Sequence, residues 1–296
     1  MSRAATAVPP HAPVPSTLAS WLAGGRSIAL EPRPRLMGIV NVTPDSFSDG
    51  GKYLSPQRAI EHGLALSAAG ADMLDVGGES TRPGAPPVGT AEELARVLPV
   101  VAALAAETGV PISIDTTKLE VARAAIEAGA TIVNDVSALR FSPGIATLAA
   151  ETGAGLVLMH MRGDPRTMQL DPRYEDLLAE VGGHLREAAR RAQAAGVARE
   201  SIVLDPGIGF GKTARDSWRL IAGISDMGLG LPVLIGHSRK SFLDPGGRTP
   251  PRDRLPQTLA AGLLAAHHGA AILRVHDVEA HVRLLEAYRG YEDARA

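Results

Sequence analysis

The sequence predicts an α/β protein with a (β/α)8 (TIM) barrel, formed by a single domain that follows a short disordered N-terminal extension. Eight short apolar segments rich in β-branched residues alternate with eight Ala- and Leu-rich segments of helical periodicity. The alternation fills about 250 residues, which is the usual length of one such barrel. A doubly wound open sheet is the alternative, although such a sheet usually has fewer strands and no strong break divides this chain into halves.

The predicted strands and helices follow one another in regular order. Strands are predicted at residues 36–42, 73–76, 111–114, 131–133, 156–159, 202–204, 232–235 and 271–275. Helices are predicted at residues 56–69, 91–108, 118–128, 143–151, 176–195, 214–224, 255–268 and 277–288. Glycine stands between a helix and the next strand, as in "AAGAD" and "EAGAT", where it can take the left-handed conformation that ends a helix.

Residues 1–30 are predicted to form the extension, and residues 31–290 the barrel. The extension contains no Asp or Glu, and its four prolines interrupt any apolar stretch that could act as a secretory signal. We therefore expect a disordered segment with a short capping strand at residues 27–30.

Composition limits the classes of function. The formal net charge of −2 gives no global field that favours nucleic acid or an anionic membrane, so we expect neither as a partner. The chain contains no cysteine, which excludes disulfides, thiol nucleophiles and thiolate metal sites and is compatible with the cytoplasm. No apolar run approaches the ~20 residues that span a bilayer. An anionic ligand would therefore need a local cluster of basic groups.

The longest irregular segments indicate which face of the barrel works. Residues 43–55, 77–89, 160–173 and 236–254 all follow predicted strands, whereas the turns from helix to strand are short. In a (β/α)8 barrel the loops after the strands lie at one end and carry the active site. We expect the functional residues at that end.

Each predicted strand ends in residues that a core would not select. Asn41, Asp115, Asn134 and Asp205 end four of the strands, and Arg82, Lys240, Arg274 and His276 stand in or near the loops. Carboxylates and an amide suit a flat heterocycle rich in hydrogen-bond donors, and the basic groups suit an anion such as phosphate. The identity of the ligand does not follow from these residues alone.

Structural interpretations compete at several of these positions. Asp135 and Thr116 are the side chains we expect to cap the following helices. Asp75 is predicted to be a buried or turn-forming carboxylate, Glu79 a group that organises its loop, and Met159 a core residue by default. No zinc or calcium motif is present, but Mg²⁺ that binds mainly phosphate and water needs only one or two protein oxygens. "GIGFGK" resembles a phosphate-binding loop only weakly, because it lacks the full Walker spacing.

Eight motifs together resemble the dihydropteroate synthase family of folate biosynthesis. They occur in family order from about residue 36 to about residue 279. The motifs are "MGIVNVTPDSFSDGG", "DVGGESTRPGA", "ISIDTTK", "IVNDVSAL", "LMHMRGDPRTMQ", "LDPGIGFGK", "GHSRKSF" and "RVHDV". The resemblance implies a transferase that joins 6-hydroxymethyl-7,8-dihydropterin diphosphate to 4-aminobenzoate with Mg²⁺, and it implies a homodimer.

The resemblance also implies a role for each matching position. It assigns catalytic roles to Asp115, Lys240, Arg274 and His276. The implied pterin site comprises Asp115, Asn134, Asp205 and Lys240 with Met159 against the ring, and Phe210 is a further substrate-binding position. The implied diphosphate site comprises Thr81, Arg82, Arg274 and His276, with Asn41 helping to hold Mg²⁺. The implied 4-aminobenzoate site comprises Ser238, Phe47, Asp49, Arg82 and Pro83.

The implied mechanism begins with loss of diphosphate, whose charge the basic groups and Mg²⁺ neutralise. The resulting carbocation is stabilised by the pterin ring and Asp115, and the aromatic amine then attacks it. Two alternatives stay open: a pterin-binding relative without turnover, and a methyltetrahydrofolate methyltransferase that serves a corrinoid protein. The second shares strand-end Asp and Asn residues but lacks the "TPDSFSDGG" and "STRPG" loops that are present here.

Overall fold

The structure is a computed structural model that describes residues 18–42, 56–81, 84–164 and 167–295. Strands β1 (Ser20–Ala23) and β2 (Arg26–Ala29) pair as an antiparallel hairpin. The barrel strands follow as β3 (Arg35–Asn41), β4 (Met73–Gly77), β5 (Ile112–Asp115), β6 (Ile132–Asp135), β7 (Gly155–Met159), β8 (Ile202–Asp205), β9 (Leu234–Ile235) and β10 (Ile272–Val275).

Eight helices alternate with the barrel strands in the described residues. They are α1 (Pro56–Ala68), α2 (Thr90–Glu107), α3 (Leu119–Glu127), α4 (Gly144–Thr152), α5 (Leu177–Ala194), α6 (Ala214–Ala222), α7 (Leu255–His267) and α8 (Val278–Asp293). Among these helices none is both long and apolar enough to cross a membrane. The helices pack on the outside of the sheet through an Ala-, Leu- and Val-rich layer.

The eight strands form one parallel sheet in the order β8-β7-β6-β5-β4-β3-β10-β9. A parallel bridge between Leu204 and Val233 joins the two outermost strands, and the Leu204 N–H donates to the Pro232 carbonyl at 2.9 Å. The sheet is therefore closed, which confirms the (β/α)8 barrel and excludes the open sheet. Strand β9 is shorter than predicted, and Pro232 at its expected start has no N–H for a ladder hydrogen bond.

The hairpin contains the capping strand expected at residues 27–30, as β2 (Arg26–Ala29), and adds β1, which was not expected. Residues 18–30 fold back on the amino-terminal end of the barrel, where Trp21 is fully buried. The Trp21 Nε1–H donates to the Ser201 carbonyl at 2.9 Å. A Cβ at Gly155 would lie 2.8 Å from the indole ring, so glycine is needed for this close approach. Residues 1–17 lie outside the described part of the chain.

The period-two alternation of the strands divides the barrel interior into layers. The layer next to the hairpin is apolar and consists of Met37, Met73, Ile132, Val157, Val203, Leu234 and Ile272. Two residues further along each strand, the side chains point to the same side of the sheet. These next positions are Ile39, Asp75, Asn134, Met159, Asp205, Gly236 and Arg274. The sequence thus places a polar layer directly above an apolar one, toward the carboxyl ends of the strands.

Candidate active site

The polar layer is held together by one arginine between two carboxylates. The Arg274 Nε–H donates to Asp75 Oδ2 at 2.6 Å, and Nη2 donates to Asp115 Oδ2 at 2.8 Å. Asn134 Nδ2 also donates to Asp75 Oδ2, at 3.0 Å. Side chains from β4, β5, β6 and β10 therefore meet in one hydrogen-bonded network, which brings together three of the predicted site residues and Asp75.

Burial sets the electrostatics of this network. Burial raises the pKa of Asp115 to about 7, while the charge of Arg274 opposes the rise and the charge of Asp75 adds to it. For Arg274 burial lowers the pKa, but the charges of Asp75 and Asp115 outweigh burial, so the net direction is upward. Arg274 is therefore a permanent cation, whereas Asp115 can change its protonation state near neutral pH.

A second charged pair lies at the ends of β8 and β9. Asp205 Oδ1 accepts a hydrogen bond from the Gly207 N–H at 2.7 Å, and burial raises the Asp205 pKa although Lys240 opposes the rise. Burial lowers the pKa of Lys240 to about 8, with Asp205 opposing. A Cβ at Gly236 would lie 3.8 Å from Lys240 Nζ and 3.9 Å from Asp205 Oδ2. Glycine thus leaves the space beside both charges open to a flat ligand.

The turn after β9 explains how Ser238 and Lys240 reach the site. Arg239 between them has a positive φ of 59°, a strained conformation for a residue other than glycine. Its side chain is held by Asp277 through Nε at 3.0 Å and Nη2 at 2.5 Å, and its N–H donates to Thr258 Oγ1 at 3.1 Å. These contacts stabilise a turn that points the residues on either side of Arg239 in a fixed direction.

Ser238 and His276 lie together at the ends of β9 and β10. His276 Nδ1 is 3.0 Å from Ser238 Oγ, and the His276 N–H donates to the same oxygen at 3.2 Å. The resemblance implies that His276 binds the diphosphate and Ser238 the 4-aminobenzoate, and the direct contact places these two side chains side by side.

An apolar wall adjoins the charged groups. Met159 is only 3% exposed and packs with Val136, Met161 and Met168, with Phe210 against them. Lys240 Nζ lies 4.5 Å from the centroid of the Phe210 ring and donates to the Ile208 carbonyl at 2.6 Å. Met159 is thus a core residue, as expected by default, and also part of a cluster that borders the charged pair.

Lys212 anchors the loop that carries Phe210. Its buried Nζ donates to the carbonyls of Phe210 at 2.9 Å and His160 at 3.2 Å, and it lies 2.9 Å from His160 Nδ1. Within this loop Gly207 has φ +70°, and a Cβ there would lie 2.0 Å from the His160 carbonyl oxygen. The glycines and lysine of "GIGFGK" therefore hold the loop against β7, and the motif is explained without phosphate binding.

A cavity of about 310 Å³ opens beside Asp115. Its lining includes Thr81, Glu79, Ser80, Thr116, Lys118, Val136, Phe141, Met161 and Asp164. Glu79 Oε1 accepts from the Val88 N–H at 3.1 Å, and its carboxylate pairs with Lys118, which also pairs with the buried Glu93. Glu79 thus organises its loop, as predicted, and Thr81 faces the same space as Asp115.

The remaining predicted residues have different outcomes. Asp135 accepts from the N–H groups of Ser137 at 2.8 Å and Leu139 at 2.6 Å, so it closes a turn rather than capping α4. Thr116 Oγ1 accepts from the Lys118 N–H at 3.2 Å, just before α3. Phe47, Asp49, Arg82 and Pro83 lie outside the described residues.

Asn41 ends β3 at the same end of the barrel, where its strand pairs with β4. Within the described part of the chain, no cluster of three or more His, Asp or Glu residues could hold a metal ion. A single amide oxygen is nevertheless a hard donor that suits Mg²⁺ when phosphate and water supply the other ligands. The residues present therefore fit a magnesium ion that arrives with a diphosphate.

Two structural roles in this site were not predicted from the sequence. Asp75 was expected to be buried, but not to bind both Arg274 and Asn134; a carboxylate in the middle of an apolar strand was the available signal. Lys212 was treated as part of a weak motif, and nothing in its spacing reveals that it binds His160, which lies on another loop.

Comparisons with known proteins give the family. The chain matches the family described as pterin binding enzyme over residues 37–276. It is 47% identical to the dihydropteroate synthase of Escherichia coli (strain K12) over 269 residues, which cover 90% of this chain and 95% of that protein. The Xanthomonas albilineans dihydropteroate synthase solved with 4-aminobenzoic acid superposes with a TM-score of 0.86 at 47% identity, covering 93% of this chain and 98% of that one. A structure of the same enzyme with 7,8-dihydropteroate gives a TM-score of 0.83 at 45% identity, covering 92% and 98%.

The geometry and the comparisons agree. A closed barrel carries a buried polar layer at the carboxyl ends of its strands, and the family match spans all eight of those strands except the first two residues of β3. The chain therefore belongs to the pterin binding enzymes and, within them, to the dihydropteroate synthases.

Proposed function

We propose that this protein joins 6-hydroxymethyl-7,8-dihydropterin diphosphate to 4-aminobenzoate and releases diphosphate, forming 7,8-dihydropteroate. The observation that carries the proposal is the buried network in which Arg274 bridges Asp75 and Asp115, next to the pair of Asp205 and Lys240. Carboxylate oxygens that can accept hydrogen bonds from a donor-rich ring lie there next to Arg274, a fixed cation that can bind an anion. The solved relatives with 4-aminobenzoic acid and 7,8-dihydropteroate support the same reaction.

The pterin ring binds in the polar layer in this proposal. Its amino-pyrimidine edge donates hydrogen bonds to Asp205 and Asn134, and its carbonyl and ring nitrogen face Lys240. The apolar faces of the ring pack against Met159 and Phe210. Hydrogen bonds join Asn134 to Asp75, Asp205 to the Gly207 N–H and Lys240 to the Ile208 carbonyl, so these side chains are oriented before the ligand arrives.

Loss of diphosphate is the bond-breaking step. The C–O bond to the exocyclic carbon breaks with its electron pair on the diphosphate, whose negative charge is stabilised by Arg274, His276, Thr81 and Arg82. The cation that remains is delocalised into the pterin ring and stabilised by ionised Asp115. Burial raises the Asp115 pKa to about 7, so this carboxyl can change its protonation state near neutral pH.

The aromatic amine of 4-aminobenzoate then attacks the exocyclic carbon and forms the new C–N bond, losing a proton. Ser238, Phe47, Asp49, Arg82 and Pro83 frame this substrate in the proposal. In the proposal, closure of the loops after β3 and β4, which lie partly outside the described residues, excludes water that would compete for the cation. No covalent intermediate with the enzyme is needed.

Magnesium is the proposed cofactor, held by Asn41 together with the diphosphate. When bound there it adds positive charge against the leaving group. Asn41 supports this role because an uncharged oxygen ligand would bind the ion only weakly and would let it leave with the product.

The protein is further proposed to be a cytoplasmic homodimer. Leu264 on α7 and Tyr291 on α8 are exposed, and the Tyr291 ring stacks on Tyr288 at 6.4 Å between centroids. These two exposed side chains make the outer faces of α7 and α8 the proposed self-association interface. Light scattering of the purified protein, compared with a Leu264→Glu variant, measures the expected change from dimer to monomer.

A pterin-binding relative without turnover is the alternative function. It would keep the fold but lack a group that the reaction requires, whereas Asp115, Lys240, Arg274 and His276 are all present at the carboxyl end of the barrel. The methyltetrahydrofolate methyltransferase alternative is disfavoured because the relatives described above are dihydropteroate synthases at 45–47% identity.

Diphosphate release tests the proposal. Purified protein is given the pterin diphosphate with and without 4-aminobenzoate and with and without Mg²⁺, and the organic product is identified by mass. We expect release that depends on both additions and yields dihydropteroate. Folded protein that binds the pterin but releases no diphosphate would support the non-catalytic alternative.

A further inference from the structure

Asp75 occupies a position where an apolar residue would be expected. It lies in the middle of β4, fully buried, between buried Leu74 and Val76. Its Oδ2 accepts from both Arg274 Nε at 2.6 Å and Asn134 Nδ2 at 3.0 Å, while its Oδ1 has no hydrogen-bond partner among the described residues. Burying an ionised carboxylate with one oxygen unsatisfied costs stability. Packing alone therefore does not account for this residue.

The first consequence of Asp75 concerns Asn134. A side-chain amide has a donor end and an acceptor end, and either can face a ligand. An ionised carboxylate only accepts hydrogen bonds, so Asp75 requires Asn134 to turn Nδ2 toward it. The carbonyl oxygen of Asn134 is then the end that remains for the ligand.

The second consequence concerns Arg274. Its Nε is fixed by Asp75 and its Nη2 by Asp115, and two such bonds define the plane of the guanidinium. Nη1 makes no hydrogen bond to any residue in the described part of the chain and stays available for a ligand. Without Asp75 the guanidinium could rotate away from this plane.

We propose that Asp75 is a positioning residue that fixes the acceptor end of Asn134 toward the pterin and holds the Arg274 guanidinium against Asp115. The inference rests on the proposed function for the identity of the ligand. Asp75 itself acts through these two side chains rather than by touching substrate.

The charge of Asp75 provides a readout that a purely structural role would not affect. Asp115 is influenced by Arg274 on β10, Asp75 on β4, Glu93 on α2 and Asp135 on β6. Burial raises the pKa of Asp115, Arg274 lowers it, and the three carboxylates raise it further. If Asp75 served only as a charge, removing it would lower the pKa of Asp115, whereas the release of Arg274 that the proposal expects removes a larger opposing effect and raises that pKa. Under the proposal the acid side of the pH profile of kcat/KM should therefore move to higher pH.

The variant Asp75→Asn tests the proposal. An amide at position 75 can donate as well as accept, so Asn134 is no longer held in one orientation. The probe is a pterin in which oxygen replaces the exocyclic amine. We expect the wild type to bind this probe about 10- to 100-fold more weakly than the amine form, because the probe leaves the carbonyl oxygen of Asn134 without a donor. In Asp75→Asn this discrimination should fall, although Asp205 can still accept from the amine, and the acid side of the pH profile should shift to higher pH because Arg274 is no longer held against Asp115.

The matched control is Asp72→Asn at the opposite end of the barrel. Asp72 also pairs with arginines, Arg33 at 2.8 Å and Arg35 at 3.3 Å, and it accepts from the Leu36 N–H at 2.8 Å. The substitution changes the net charge equally and removes comparable ion pairs. We expect Asp72→Asn to alter stability but to keep both the pH profile and the discrimination of the wild type.

The outcomes are distinct. If Asp75→Asn behaves like Asp72→Asn in pH profile and discrimination, the proposal is overturned. If Asp75→Asn does not fold, ¹⁵N NMR of the wild type replaces it: the Arg274 Nε–H should exchange slowly with water both before and after pterin binds, and its release on binding would overturn the proposal. If the wild type has no turnover, the proposed function fails, while the binding discrimination still decides the role of Asp75.

Discussion

At the amino-terminal end of the barrel the strands surround Trp21, Met37 and Ile132, whereas two residues further along they carry Asp75, Asn134 and other polar groups. The first layer is apolar and is covered by the hairpin of β1 and β2. The second contains buried charges and lies next to a cavity. The same strands and the same alternation build both layers. The comparison indicates that the apolar end stabilises the fold. The polar end lowers its stability because it holds buried charges in a fixed arrangement.

The two ends differ in what a substitution should do. Apolar burial contributes about 25 cal/mol per Å² and is lost when a large side chain is truncated. A carboxylate whose pKa is raised by folding is instead less stable in its ionised form than in the unfolded chain. Replacing such a group should therefore increase stability while it removes activity.

Asp115→Asn should produce the largest effect on function and the opposite effect on stability. The variant loses the negative charge that stabilises the cation, so we expect kcat to fall by about 10²- to 10³-fold. The Asp115 pKa of about 7 in the folded protein lies above its pKa in the unfolded chain. Ionised Asp115 therefore destabilises the fold once the pH exceeds the pKa of the unfolded carboxyl. The melting temperature of the variant should exceed that of the wild type at pH 8, and by less at pH 5. A variant that melts lower at pH 8 would contradict the comparison.

Trp21→Ala should destabilise the protein by about 3 to 5 kcal/mol, because it removes a fully buried aromatic ring from the amino-terminal end of the barrel and leaves a cavity. Urea unfolding measures this loss. Trp21→Phe, which keeps most of the ring and loses the hydrogen bond to the Ser201 carbonyl, serves as the matched variant and should lose much less. KM for the pterin should not change in either folded variant; a change in KM would show that the two ends are coupled.

Acid should destabilise the loops at the carboxyl end through buried neutral histidines. Burial lowers the pKa of His237 to about 3, so below pH 6.5 the unfolded chain binds a proton that the folded chain does not. Folding stability is therefore lost as the pH falls from 6.5 toward 3, by about 2 kcal/mol at pH 5 for this residue. His237→Met should remove that part of the pH dependence and leave stability near pH 7.5 within about 1.5 kcal/mol. Equal pH slopes for variant and wild type would refute this cause.

Gly262→Ala should have the smallest effect of the four. A Cβ on α7 would lie 3.0 Å from His237 Nε2 and 3.2 Å from His281 Nε2, and both rings are fully buried. Overpacking of this kind costs about 1 to 3 kcal/mol, and the roughly 1 kcal/mol by which alanine is favoured over glycine within a helix offsets part of this cost. Gly290→Ala on α8 is the control, because nothing lies within 4 Å of a Cβ there. Thermal unfolding measures the difference in melting temperature between the two variants. Equal melting temperatures would show that the histidine rings move aside and that the overpacking has no cost.

The strand–helix alternation and the strand-end residues were predictable because they depend on local periodicity. All eight barrel strands and eight helices of the described residues occur where predicted, with shifts of a few residues at their ends. The capping strand at residues 27–30 was predicted and is β2, but its partner β1 was missed because Trp21 follows a Pro-rich segment and finds its hydrogen-bond partner far along the chain. The turn role of Asp135 was missed because an N-cap and a turn draw on the same residue type.

The sequence by itself determined the barrel, the end at which polar side chains collect and the family to which the motifs belong. Period-two alternation and the loops between strands and helices are local properties, which can be recognised from neighbouring residues without knowledge of the tertiary contacts. Only the tertiary structure decided that Arg274 bridges Asp75 and Asp115 and that Lys212 binds His160. Asp75 and Arg274 are 199 residues apart in the chain, and the rise of the Arg274 pKa depends on the charges of Asp75 and Asp115. Those quantities exist only once the barrel closes.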